Sequence, residues 1–294
     1  MAAATFGSIL VPLDGSAASY AAFRLALRLV APHGEVIVAH VIDRAAVVAE
    51  CVTPYGGDAE RALEALEADE RDIFERARKE AAAASVRCST VALTGVPASR
   101  ICSIAVERKV DAIAMGTHGR RGLPRIVLGS TAAAVLKKAQ VPTLVLHEER
   151  ACSTPFGPFR QIVVGFDGSA AAHDAVRLAV DLAAQDDGRV LLVHVAATWD
   201  GPLTEAVLAQ ARSYALTSGV RSDAAIVHGN TAKAIFMSAQ TCHADLIALG
   251  AHAGAAGLFG MGNVTEAVVR TSTVPVLVVP LSTANLGQAM QAAR

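Results

Sequence analysis

Short runs of aliphatic and β-branched residues alternate along the chain with longer stretches in which apolar side chains recur every three or four positions. In the first half, the runs at 7–13, 35–42, 87–93, 111–116 and 143–147 predict strands, and the periodic stretches at 17–31, 58–84, 98–109 and 130–139 predict helices. The strand runs are continuously apolar, as in Ile9-Leu10-Val11 and Val36-Ile37-Val38. That pattern is expected where both faces of a sheet are covered. Regular alternation of strand and helix predicts right-handed crossovers and a parallel sheet flanked by helices on both faces. In the 58–84 helix, Leu63, Leu66, Ile73 and Phe74 form an inward stripe. Its i,i+4 pairs Glu67/Arg71, Asp72/Arg76 and Glu75/Lys79 read as a solvated face.

The pattern occurs twice. Ser8-Ile-Leu-Val-Pro-Leu-Asp-Gly-Ser16 matches Gln161-Ile-Val-Val-Gly-Phe-Asp-Gly-Ser169, and His40-Val41 matches His194-Val195. Val110-Asp-Ala-Ile-Ala-Met-Gly116 matches Ala244-Asp-Leu-Ile-Ala-Leu-Gly250, and Val141-Pro142 matches Val274-Pro275. The offset falls from 153 at Asp14 to 133 at Val141, so the second copy is shorter, mostly between its second and third strands. Pro155, Gly157 and Pro158 break any regular element between the copies. Two tandem domains are predicted, 1–150 and 151–294, each a doubly wound five-stranded parallel sheet. The length of 294 residues agrees with that count.

Apolar types make up 53% of the chain and charged types 18%, enough for a sizeable core in each half. The net charge of −1 argues against holding nucleic acid by bulk charge. A mean hydropathy of +0.41 raises the question of a membrane, but much of it comes from alanine. The longest weakly polar stretch, 246–262, is broken by His252 and by glycines, so no membrane insertion is expected. The segment Met1–Phe6 has no basic residue ahead of an apolar run, so no secretory leader is expected. The five cysteines, Cys51, Cys88, Cys102, Cys152 and Cys242, form no CxxC pair. That usage fits a reducing cytoplasm, with Cys88 and Cys102 as small core residues.

Ligands of open parallel sheets bind beyond the carboxyl ends of the strands. Those ends carry Pro12-Leu13-Asp14-Gly15-Ser16, Val41-Ile42-Asp43 and Met115-Gly116-Thr117-His118-Gly119. After the fourth strand the spacing is Gly116-x2-Gly119-x9-Gly129-Ser130, with a helix beginning near Thr131 and with Arg120, Arg121 and Arg125 in the loop. Glycines admit close backbone approach, and a helix start offers free N–H groups that suit phosphate. Ser130 either donates its hydroxyl to a ligand or caps the helix. Asp14 either meets a ribose hydroxyl or metal, or closes a turn. His40 and His194 end matching strands and read as structural. His118 and His252 lie in the fourth-strand loops, where His118 either touches phosphate or steadies a turn. No GxxxxGK[ST], complete dinucleotide fingerprint, GxSxG or HExxH is present.

On these residues the chain resembles a tandem universal stress protein, a pair of Rossmann-like, adenine nucleotide alpha hydrolase-like units. The Gly116-x2-Gly119-x9-Gly129-Ser130 spacing is similar to the ATP-binding signature of that family. The resemblance implies that Pro12, Asp14 and Val41 contact adenosine, that Met115 and Gly116 lie along the ribose, and that Gly119, Gly129, Ser130 and Thr131 wrap the phosphates. Any Mg²⁺ would arrive with ATP, near Asp14, rather than be held by protein alone. The second copy keeps Gly165, Asp167, Val195, Leu249 and Gly250, but Ala253 replaces the second glycine and Gly262-Asn263-Val264 follows a shorter, arginine-free spacer. A second, weaker site is therefore expected there, where Asn263 can still cap the helix. The resemblance further implies that the fifth strands of the two halves face each other, mimicking a family homodimer, and that two tandem chains pair again. The implied function is a cytoplasmic ATP-binding sensor or regulator of the stress response with protein partners. A slow ATPase or nucleotide-transferring enzyme, and an interaction scaffold docking through 253–261, are the alternatives.

Overall fold

The computed structural model describes residues 6–51, 58–117, 128–147, 156–196, 202–251 and 261–281. The first half runs β1 (Phe6–Pro12), α1 (Ala17–Leu29), β2 (Val30–Ile42), α2 (Arg44–Cys51), α3 (Ala59–Ala83), β3 (Arg87–Thr94), α4 (Pro97–Glu107), β4 (Ala112–Gly116), α5 (Ser130–Lys138) and β5 (Thr143–Leu146). The second runs β6 (Gln161–Gly165), α6 (Ala170–Gln185), β7 (Arg189–Ala196), α7 (Pro202–Thr217), β8 (Arg221–His228), α8 (Thr231–Thr241), β9 (Leu246–Gly250), α9 (Asn263–Thr271) and β10 (Val276–Val279).

The expectation of two sheets needs one correction. The strands form a single ten-stranded sheet in the order β3-β2-β1-β4-β5-β10-β9-β6-β7-β8. Each half is parallel within itself, and β5 meets β10 antiparallel, with Leu144 opposite Leu277 and Val145 opposite Val276. All four residues of each of these strands are buried. Left as edges they would expose apolar faces and unpaired backbone groups, and pairing with each other removes both. The fifth strands thus do face each other, as one continuous sheet.

Two layers of core follow from the sheet. One face packs Ile9, Val11, Val36, Val38 and Ala114 against Phe23 of α1 and Ile73 and Phe74 of α3. The other packs Leu10, Ile37, Ile113 and Met115 against Ile101 of α4 and Val135 of α5. Both layers continue into the second half through the β5–β10 seam. The halves are also tied by the ion pair of Arg28 and Asp186 and by the Arg28 guanidinium lying 4.6 Å from the Phe159 ring centre.

Two elements depart from the periodicity. The helix expected to 31 ends at Leu29, and β2 begins at once. There the register slips between Phe6/Val30 and Ser8/Glu35, around Pro32 and a left-handed His33 (φ 70°). Helix α2 buries none of its residues, so it leaves no amphipathic trace in the sequence. Its first turn is closed by Asp43, whose Oδ1 accepts from Ala46 N at 3.1 Å.

Candidate functional site

The Asp-Gly-Ser segments form the same turn in both halves. Asp14 Oδ1 accepts from Ser16 N (3.0 Å) and Ser16 Oγ (2.6 Å), and Asp167 Oδ1 accepts from Ser169 N (2.9 Å). Gly15 and Gly168 sit at φ 86° and 79°, where a Cβ is disfavoured. Ser16 and Ser169 then cap α1 and α6, accepting from Ser19 N and Ala172 N at 3.2 Å each. Both aspartates stand at the crevice end of their strands, half-buried at 14 and exposed at 167. The turn-closing alternative for Asp14 is therefore realised.

His40 is buried and donates from Nδ1 to Leu13 O at 2.6 Å; His194 makes the matching bond to Phe166 O at 2.9 Å. Each fastens the end of the second strand to the end of the first. Gly116 and Gly250 also have a fold reason. A Cβ on Gly116 would fall 2.8 Å from the carbonyl carbon of Ala18, and one on Gly250 would fall 2.7 Å from that of Ala171. These strand ends press directly on the helix starts, which only glycine permits. The Met115 side chain is 4% exposed and belongs to the core beside Leu128 and Ala132, so it offers a ligand backbone only.

The start of α5 differs from these fixed points. Its N-cap is Gly129, at φ −57° and ψ 145°, angles open to any residue. The capping alternative for Ser130 falls away, since Ser130 is the first helical residue and is exposed. Among the described residues no side chain caps this helix, and its first turn carries no acidic residue. The N–H groups of the first turn thus face the crevice with no partner inside the helix, at the positive end of the helix dipole. Thr131 is half-buried beside them. Gly129 N donates to Thr117 O at 2.8 Å, and Thr117 N donates to Leu146 O at 2.8 Å, so the two ends of the fourth-strand loop are clamped together. Gly119, His118 and the three loop arginines lie outside the described residues.

Sequence reasoning does not find Thr117 or His147. Thr117 is 1% exposed, and its Oγ1 lies 3.3 Å from His147 Nδ1. His147 Nε2 donates 2.6 Å to Val269 O in the last turn of α9, across the seam. Both are single polar residues ending apolar strands, a position that carries no periodic signal.

In the second half, Gly165, Asp167, Val195, Leu249, Gly250, Gly262, Asn263 and Val264 all line one cavity of about 310 Å³, together with Phe166, His194, Ile235 and Thr265. Gly262 (φ −65°) is the N-cap of α9, and Asn263 is inside the helix, so Asn263 is not the cap it was expected to be. Ala253 and His252 lie outside the described residues. Pro12 and Val41 stand half-buried at the matching strand ends of the first half.

A family model described as the universal stress protein family matches residues 5–147 and again 158–280. The chain belongs to the universal stress protein family. A universal stress protein of Mycolicibacterium smegmatis is 29% identical over 303 aligned positions, covering 94% of this chain and 98% of that one. One from Methanocaldococcus jannaschii is 34% identical over 146 residues, 49% of this chain and 84% of its own length. The crystal structure of a universal stress protein from Archaeoglobus fulgidus superposes with a TM-score of 0.75 at 21% identity, over 95% of this chain and 98% of that one, and shows the shared fold.

The thiols of Cys88, Cys102 and Cys242 are each pushed above the ordinary value by burial. All three are half-buried and pack against the core, as small apolar residues do. Cys152 lies outside the described residues. Among the described residues no group of three or more His, Cys, Asp or Glu is placed to hold a metal, and no helix is long and apolar enough to cross a membrane.

Proposed function

We propose that the first half of this universal stress protein binds ATP and that the protein acts as a nucleotide-responsive regulator. The observation that carries this reading is the start of α5. A glycine that its own backbone angles do not require heads a helix with no acidic residue in its first turn and, among the described residues, no side-chain cap. It lies at the carboxyl end of β4, in the Gly116-x2-Gly119-x9-Gly129-Ser130 frame. Glycine there lets phosphate oxygens reach the free N–H groups. Pro12, Asp14 and Val41 would border the adenosine. Ser130 Oγ would add a hydrogen bond, and Gly119 and Thr131 would complete the phosphate wrap. Magnesium, carried in by ATP, would sit near Asp14.

Heat release and chromatography of the purified chain should yield adenine nucleotide, and calorimetry should show ATP binding. Ser130→Ala removes one hydrogen bond to a charged group, about 1.5–3 kcal/mol, or roughly 10- to 150-fold in affinity. Gly129→Trp leaves the backbone unstrained but covers the N–H groups, and should abolish binding. Unchanged affinity in both variants would refute the site. A turnover assay on the same samples separates a regulator from an ATPase.

A further inference from the structure

Of the two crevices, the second departs chemically from the first. Its cavity of about 310 Å³ lies at the small end of the range of roughly 300–1,000 Å³ common for ligand pockets. Its floor is aliphatic. Leu249 and Ile235 lean into the space over Gly165, where a Cβ would fall 2.5 Å from Leu249 Cδ2 and 2.8 Å from Ile235 Cδ1. Val195 forms another part of the wall. No lysine or arginine lines it among the described residues, and the sequence has none from Asp245 to Val269. Among the described lining residues the one acidic or basic side chain of fixed charge is Asp167. Asp167 stands exposed at the lining, and the first turn of α9 carries Glu266, where α5 carries no acid. Arg270 pairs with Glu266 at 2.8 Å, one turn further along the helix, so that pair brings no net cation to the helix start.

We propose that the second-half cavity binds an uncharged ligand of nucleoside size, an aromatic base with a hydroxylated sugar, and discriminates against the triphosphate; the proposal rests on reading both crevices as nucleotide sites. A flat base suits the aliphatic walls by burying apolar area. Sugar hydroxyls donate to the Asp167 carboxylate, as they would to Asp14 in the first half, but phosphate oxygens here meet no loop arginine, where the first half has Arg120, Arg121 and Arg125. A triphosphate at the α9 start would find its dipole already answered by Glu266.

Equilibrium dialysis of the full chain with labelled adenosine, with and without excess ATP, tests this. The expected result is adenosine binding that ATP does not displace, alongside ATP binding in the first half. Val264→Trp plugs the cavity at a residue 38% exposed, and should remove the ATP-resistant adenosine while leaving ATP bound. The Asp167→Asn/Glu266→Gln double variant removes the exposed Asp167 charge and frees Arg270 from the half-buried Glu266, and should let ATP compete for that adenosine, improving its affinity there by about tenfold. Adenosine fully displaced by ATP in the parent chain, or no ATP-resistant adenosine at all, overturns the proposal. ATP-resistant adenosine without any ATP binding sustains it and overturns the first-half reading instead.

Discussion

Replacing His147 by phenylalanine should weaken the seam between the halves without disturbing either half's packing. Phenylalanine keeps the ring's volume and removes both nitrogens. In the parent chain His147 Nε2 donates to Val269 O at 2.6 Å, and Val269 is fully buried. That carbonyl belongs to the last turn of α9, where no helical N–H reaches it. Leaving a buried acceptor unsatisfied costs about 1–3 kcal/mol. Thr117 also loses a partner at 3.3 Å, a long contact that adds little. For a chain of this size the drop in Tm should be roughly 2–10 °C. Differential scanning calorimetry reads it directly. His228→Phe serves as the control, since His228 is exposed and its bond to Ala196 O is 3.3 Å within one half. If the His147 variant melts within about 1 °C of the parent, or no lower than the control, the seam does not depend on this bond.

Gly116→Ala and Gly250→Ala should each destabilise by about 1–3 kcal/mol, because the added Cβ meets helix backbone rather than a mobile side chain. Gly157→Ala, with nothing within 4 Å, should change denaturant stability by no more than about 0.5 kcal/mol, and equal effects at all three would refute the close-approach reading. Gly15→Ala and Gly168→Ala should cost about 1–2 kcal/mol each by forcing a Cβ into left-handed backbone, measured by the same unfolding titration. His173 has its pKa lowered by burial first and by Arg177 second. The unfolded chain therefore takes up that proton at a higher pH than the folded one, so this contribution is present above about pH 6.5 and is lost as pH falls below it. His173→Phe should flatten the decline of Tm just below pH 6.5; an unchanged slope would refute the assignment.

The strands and most helices were legible because each buries continuous or periodic apolar residues. What escaped has a physical reason in each case. Helix α2 buries nothing, so propensity alone would have had to reveal it. The start of β2 passes through Pro32 and a left-handed His33, features that read as a turn. The antiparallel pairing of β5 with β10 depends on how two apolar edges meet in space, and a run such as Thr-Leu-Val-Leu carries no direction of pairing. At the candidate site, the glycine spacing and the strand ends were legible. The division of labour among those residues was not, because a glycine needed for helix contact and one needed for ligand approach are the same letter. Thr117 and His147 act through hydrogen bonds of single side chains, which no pattern announces.

The internal repeat supplies a control that a single domain lacks. Features kept in both halves can be tested against the fold twice. The Asp-Gly-Ser turns close on their own serines, and the paired histidines fasten neighbouring strand ends. Asp111 Oδ2 accepts from Gly7 N and Ser8 N, and Asp245 Oδ2 accepts from Arg160 N and Gln161 N, so both aspartates tie the start of the first strand to the fourth. Gly116 and Gly250 answer the same crowding. Repetition at these positions follows from architecture, and a ligand is not needed to explain it. The cap glycines are a different case, since neither Gly129 nor Gly262 sits at angles that demand glycine. Among the described residues neither helix start carries a side-chain cap, a feature that suits a ligand more than it suits the fold. What changes between the halves is the charge around that opening: three arginines in the first loop, and Glu266 with no arginine in the loop at the second, while the strand-end aspartate is kept in both, as Asp14 and Asp167. Where the repeat holds it reports the scaffold, and where its charges diverge it supports the proposal of a different ligand for each half.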